Sequence, residues 1–204
     1  MDHAATTYAA DEVVDAMLPY FSEKFGNPSS VYSIGAENKD AVTKAREAVA
    51  RAINAEPDEI YFTNGGTESD NWALKGIAFA NERKGKHIIT TAIEHHAVLH
   101  SAEWLAGMGF AITYLPVDKY GMVRPADVEK AIRPDTILIS VMYANNEVGT
   151  IQPIQEIGEI ARKHKIYFHT DAVQAVGHVP IDVKAQNIDL LSLSGHKFYG
   201  PKGV

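Results

Sequence analysis

From Glu59 onward the chain alternates short apolar runs with longer segments of helical period. Runs of apolar and β-branched residues read as strands at Ile60–Thr63, His87–Thr91, Ala111–Leu115, Thr136–Val141, Ile166–His169 and Asp189–Leu193. Between them, amphipathic periodicity predicts helices over Glu68–Glu82, Ala97–Gly107, Ala126–Ile132 and Ile154–His164. The N-terminal quarter is helical in pattern, over Asp11–Lys24 and Ser33–Asn54. In the second of these, Ala41, Ala45, Ala48, Val49, Ala52 and Ile53 fall close to one face. The turn-rich stretch Phe25–Ser30 separates the two. Alternation of this kind predicts an α/β fold: a doubly wound, mostly parallel sheet with flanking helices. Such sheets bind ligands outside the carboxyl ends of their strands, so chemistry is expected just after each apolar run.

Composition narrows the class of protein. The 204 residues suit one domain, or one large domain and part of another. The formal charge of −7 comes from acids spread along the chain, with no basic stripe to follow a nucleic acid. No apolar run approaches a membrane span, and the N-terminus lacks the basic start and apolar stretch of a secretory signal, so the expectation is a cytoplasmic address without membrane association. Cysteine is absent, which removes disulfides, thiolate metal sites and any thiol nucleophile from these residues.

The residues after the strands carry the chemistry. Leu190–Leu193 runs into Ser194-Gly195-His196-Lys197, which sets an amine at the mouth of the sheet. An amine there can form a Schiff base with a carbonyl cofactor. Ile166–His169 leads into Thr170-Asp171-Ala172-Val173-Gln174. A carboxylate beside a pyridine nitrogen keeps that ring protonated, and Gln174 can reach a ring oxygen if a helical turn follows. Asp171 and Lys197 together are the parts needed to hold pyridoxal phosphate, although Asp171 alone reads equally as a helix cap. After Ile60–Thr63 come Gly65 and Gly66, then Thr67 with Asp70 three residues on, a pattern like a capping box at a helix start that can take a phosphate. An ordinary capped glycine turn gives the same pattern. His95, after His87–Thr91, can stack on a flat ring or move protons. Asn145 and Asn146 follow Thr136–Val141, and their amides can bond a phenolic oxygen or cap a loop. His96 and His100 have the spacing of two zinc ligands, but no third ligand accompanies them, and the expectation is no metal.

Taken together, Asp2–Thr7, Asn27-Pro28-Ser29-Ser30, Gly65–Asn71, Glu94-His95, Asn145-Asn146-Glu147, Asp171–Gln174 and Ser194–Lys197 resemble the cysteine desulfurases of the iron–sulfur and nitrogen-fixation type. These belong to the class V aminotransferase group of pyridoxal phosphate proteins. The resemblance covers Asp2 to Val204. It implies that Lys197 carries the cofactor and shuttles the substrate Cα proton, and that Asp171 pairs with the pyridine nitrogen. It implies that Asn146 and Gln174 contact the ring and its oxygen, and that His95 stacks on the ring and assists proton transfer. Gly66, Thr67, Ser194 and His196 hold the phosphate. The implied reaction converts free L-cysteine to alanine and passes sulfur through a protein persulfide to an iron–sulfur scaffold or other acceptor. The implied assembly is a homodimer whose partner subunit completes the phosphate site, so this chain alone is expected to bind cofactor weakly.

The resemblance also implies a division in which residues 1–15 edge the active site as part of a small domain and residues 16–204 form the cofactor-binding large domain. Family members run to about twice this length. The sulfur-accepting cysteine, the carboxylate-gripping arginine, most of the small domain and a strand between Asp189–Leu193 and Ile60–Thr63 are expected outside these residues. Without that strand, a sheet edge is expected to lie open. Tyr32 stands where the family usually has histidine. Two other readings fit: a related lyase acting on selenocysteine or kynurenine, and a non-catalytic chain in which cysteine is missing because no sulfur chemistry is done.

Overall fold

The computed structural model describes residues 2–204. Five parallel strands form one sheet: β1 (His87–Thr91), β2 (Ala111–Leu115), β3 (Thr136–Ser140), β4 (Tyr167–Asp171) and β5 (Leu190–Ser192), in the order β2-β1-β3-β4-β5. Seven helices accompany them: α1 (Asp11–Met17), α2 (Pro19–Ser22), α3 (Ser33–Ile53), α4 (Gly66–Ala80), α5 (His96–Gly107), α6 (Pro125–Ala131) and α7 (Ile154–His164). The central strands β1 and β3 are buried along their whole length, while the edge strands β2 and β5 are only partly covered. Ile88 and Leu138 pair in register and pack with Leu74, Ala78, Val98 and Leu105 beneath α4 and α5. Ile89, Ile139 and Phe168 form the next row and pack with Val128, Ile157 and Ala161 beneath α6 and α7.

Phe168 is fully buried in this second layer. Phe168→Ala is expected to lower the unfolding free energy by about 3–5 kcal/mol, because the sheet cannot collapse into the space left. Urea unfolding checks this, read as a lower midpoint at unchanged slope.

The fold departs from the sequence reading in three places. The helix expected over Asp11–Lys24 is two short helices, because Pro19 has no N–H to continue the ladder and starts α2 instead. Ile60–Thr63 forms no strand. A strand needs a neighbour one ladder spacing away, and a cavity of about 1000 Å³ lies between this segment and β5, lined by Ile60, Tyr61, Phe62, Leu191 and Leu193. β5 is accordingly an edge strand. The capping box expected at Thr67 and Asp70 does not form. Gly65, at φ +118°, is the N-cap, so Thr67 already lies inside α4 and Asp70 turns into the interior.

A cleft at the carboxyl ends of the strands

The chain leaves β1 toward β2 on one side and leaves β3 toward β4 on the other, so a crevice opens at the carboxyl ends of β1 and β3. A cleft of about 670 Å³ lies there. Its walls include Gly66, Thr67, His95, Asn146, Asp171, Gln174, Ser194, His196 and Lys197, the nine positions singled out from the sequence. Asp2, Ala4 and Ala5 line it as well. Met1, the first residue of the N-terminal segment expected at this edge, lies outside the described residues.

Gly66 and Thr67 are placed by the start of α4, and the other positions by the strand that ends at or before them. Asp171 ends β4 and is 5% exposed; its Oδ1 accepts from the Val173 amide at 3.0 Å. Burial raises its pKa, while the Val173 amide, His95 and Lys197 pull the other way. The turn after β5 presents Ser194, His196 and Lys197. Burial lowers the Lys197 pKa, opposed by the carboxylates of Asp171 and Asp2. The Lys197 Nζ donates to the Ala5 carbonyl at 3.0 Å and also to Ala4. Burial, together with Lys197 and Lys202, lowers the His196 pKa, and its Nδ1 lies 2.9 Å from the Thr6 hydroxyl.

The N-terminal segment therefore straps the turn after β5. Thr7 N–H donates to the His196 carbonyl at 2.9 Å, and Ala10 N–H to that of Tyr199 at 3.0 Å. Gln174 Nε2 donates to Ala4 O at 2.8 Å. His95 is the N-cap of α5: its Nδ1 accepts from the Ala97 amide at 3.2 Å, which leaves the ring exposed to the cleft. Asn146 Nδ2 donates to Glu147 Oε1 at 2.9 Å, whereas Asn145 is buried and holds the loop by donating to Ile93 O. The two adjacent amides thus divide into one that lines the cleft and one that builds it. His96 and His100 stack on the exposed side of α5, ring centroids 5.2 Å apart, and no third ligand joins them among the described residues.

Two buried acidic groups were not anticipated: Asp70, which lines the cleft, and Glu94, which lies outside its lining. Asp70 is 1% exposed, and Asp70, His95 and Asp171 bring one polar atom each within 4.8 Å of one another. Glu94 is 5% exposed; its Oε1 accepts from the Thr91 hydroxyl at 2.5 Å and the Met142 amide at 3.0 Å. For Asp70 a signal existed, since it shares a helical face with Ala73, Leu74 and Ile77. For Glu94, beside an expected ligand in a loop, there was none.

Pyridoxal phosphate fits this lining. A Cβ at Gly66 would sit 2.8 Å from Val173 Cγ2 and 3.7 Å from Ser194 Cβ, so the backbone opening α4 runs tight against the turn after β4, with the turn after β5 in ordinary contact. Free N–H groups at that helix start, beside the Ser194 and Thr67 hydroxyls, suit a phosphate. A buried carboxylate and an amine on the remaining wall suit the ring nitrogen and the carbonyl carbon.

A family model described as "Aminotransferase class-V" matches residues 1–204. The cysteine desulfurase IscS of Methanosarcina thermophila is 70% identical over 203 residues, covering 100% of this chain and 50% of the relative. That of Clostridium botulinum (strain Kyoto / Type A2) is 64% identical over 204 residues, covering 100% and 51%. Among solved structures, one titled "SspA in complex with cysteine" superposes with a TM-score of 0.97 at 46% identity, over 99% of this chain and 58% of that one. A "NIFS-LIKE PROTEIN" gives 0.96 at 44%, over 99% and 56%. The chain spans about half the length of the curated relatives it matches.

Proposed function

We propose, for a chain that belongs to the aminotransferase class-V family, that its cleft holds pyridoxal phosphate and serves the removal of sulfur from free L-cysteine. One observation carries the reading: the Lys197 amine and the Asp171 carboxylate, 26 residues apart, line one cleft with the Gly66 cradle. Gly66, Thr67, Ser194 and His196 hold the phosphate; Asp171 pairs with the ring nitrogen; Asn146 and Gln174 contact the ring and its oxygen. His95 covers the ring and assists proton transfer. Residues 2–15 form the edge of the site, and residues 16–204 the body that binds the cofactor. Relatives named cysteine desulfurase and a related structure titled as a cysteine complex support the substrate class.

Bound, the cofactor supplies an electron sink for the substrate α-carbon. The chain's own residues do the rest. Asp171 supplies the negative charge that a protonated ring nitrogen needs. Lys197 would hold the cofactor's carbonyl carbon, which an amine can do only in its neutral form. Burial, by lowering its pKa, enlarges that neutral fraction over that of an exposed lysine. The same Nζ would take up and return the substrate Cα proton. To act at all, it must leave the Ala4 and Ala5 carbonyls, which places the N-terminal strap among the parts that move. An iron–sulfur scaffold as sulfur acceptor, a homodimeric assembly and a cytoplasmic address complete the proposal. The exposed apolar side chains of Phe21, Phe25, Val31 and Tyr32 support a covered surface in the assembled protein.

Borohydride reduction of the chain with excess pyridoxal phosphate, followed by peptide mass spectrometry, tests the cofactor reading. The adduct is expected on Lys197 ahead of the exposed lysines and is lost in Lys197→Ala. Equal labelling of Lys197 and exposed lysines overturns it.

A further inference from the structure

Asp70 and Asp171 sit at the floor of the cleft with Glu94 buried beside them, and only Asp171 has a lysine ammonium to face. Asp171 has Lys197 and His95 on its open side. Glu94, in the β1–α5 loop, is met by two neutral donors, and its Oε2 has no partner among the described residues. Asp70 lies on α4, which packs on β3, β4 and β5. Its Oδ1 also has no hydrogen-bond partner among the described residues.

The nearest basic atom to Asp70 is His169 Nε2 on β4, at 3.6 Å. His169 cannot serve as a counter-ion. It is fully buried, its pKa is pushed down to about 3, and its ring nitrogens already meet the Ser140 and Ser192 hydroxyls at 2.9 and 3.1 Å. The other titratable groups facing Asp70 are two acids, Asp171 on β4 and Glu94, and the His95 ring, one of whose nitrogens lies within 4.8 Å of a carboxylate oxygen of both Asp70 and Asp171. An isolated buried carboxylate takes a proton rather than remain charged, and two neighbouring carboxyls ionise one at a time.

We infer that Asp70 is a positioning residue that holds the proton of the Asp70–Asp171 acid pair, leaving Asp171 as the single anion at the cleft floor. Burial, the Asp171 charge and Glu94 push the Asp70 pKa up to about 9, against the pull of the Ser192 hydroxyl. An ionised Asp70 would drive Asp171 toward its neutral form and remove the charge that a ring nitrogen needs. Asp70 acts through Asp171. Its consequence for the cofactor rests on the proposed function, but its protonation does not.

Infrared difference spectra of the cofactor-free chain read that proton directly, so this inference can fail while Lys197 labelling succeeds, and the reverse. At neutral pH a protonated-carboxyl stretch is expected. Asp70→Asn, neutral and nearly isosteric, is expected to remove one carboxyl equivalent per chain from it. Asp171→Asn is expected to leave that equivalent in place, and Glu94→Gln to remove a separate component. Loss of the Asp70 component in Asp171→Asn but not in Asp70→Asn places the proton on the other acid and overturns the inference. No change in Asp70→Asn overturns it too. Should Asp70→Asn not fold, carbon-13 carboxyl titration of the unsubstituted chain decides the matter. One buried aspartate still protonated at neutral pH, assigned to Asp70, supports the inference, and full ionisation of the aspartates refutes it.

Discussion

Supplied with pyridoxal phosphate and free L-cysteine, and no added thiol, the 204-residue chain is expected to release alanine and sulfide no faster than the cofactor alone. Sulfur leaves cysteine as an electron-poor atom only if a nucleophile takes it, and in the proposed reaction that nucleophile is a protein thiolate. The chain contains no cysteine. Its five methionines carry sulfur as thioethers, which have no proton to lose and form no persulfide. Serine and histidine, both present at the cleft, cannot store sulfur in a form that an acceptor protein collects. Loss of a nucleophile from a covalent mechanism has cost on the order of 10⁶ in rate where it has been measured in another enzyme class. The measurement is alanine formed against chain concentration. A proportional rise shows that sulfur can leave without a protein thiol and overturns the proposed route.

Glu94→Gln is expected to remove a large part of the pH dependence of stability. Burial raises the Glu94 pKa from 4.5 to about 8, against the pull of the Thr91 hydroxyl and the Met142 amide. Below the ordinary value both folded and unfolded chains hold this proton, and pH has no purchase on their difference. Between 4.5 and about 8 the unfolded chain releases the proton while the folded chain keeps it, so stability falls as pH rises. Above about 8 both forms are ionised, and the loss is complete. Its upper bound is about 5 kcal/mol, a large part of the stability of a domain this size. Glutamine keeps the acceptor that the Thr91 hydroxyl and the Met142 amide use, and carries no charge. The variant is therefore expected to match the parent in acid and to exceed it by several kcal/mol in mild alkali, where Asp70 still contributes its own decline. Urea midpoints across that range check the effect. Parallel curves for the two proteins would mean that Glu94 is already ionised in the folded state.

These two acids mark the limit of what local sequence conveys. The row Ile89, Ile139 and Phe168 was visible as apolar runs, because a doubly buried strand leaves no polar alternation to hide it. Asp171 and Lys197 stood out because each follows such a run, and strand ends in a parallel sheet converge by geometry. Ile60–Thr63 has the composition of a strand and still forms none, since composition cannot supply a neighbour to bond with. Pro19 splits its helix by a rule that reads directly from the chain, and the amphipathic pattern on either side obscured it.

The order of residues alone determined the alternating architecture, because strand runs and helical periods are local patterns; it also brought forward nine residues that the structure gathers along one cleft, some by their place after an apolar run and the rest by family resemblance. The tertiary structure alone decided which acid faces a cation. It sealed Asp70 and Glu94 in the interior, joined Thr6 and Thr7 to His196 across about 190 positions, and set Ala4 and Ala5 against Lys197. Burial and charge neighbours are sums over everything that packs nearby, and most of what packs around these groups is distant in the chain.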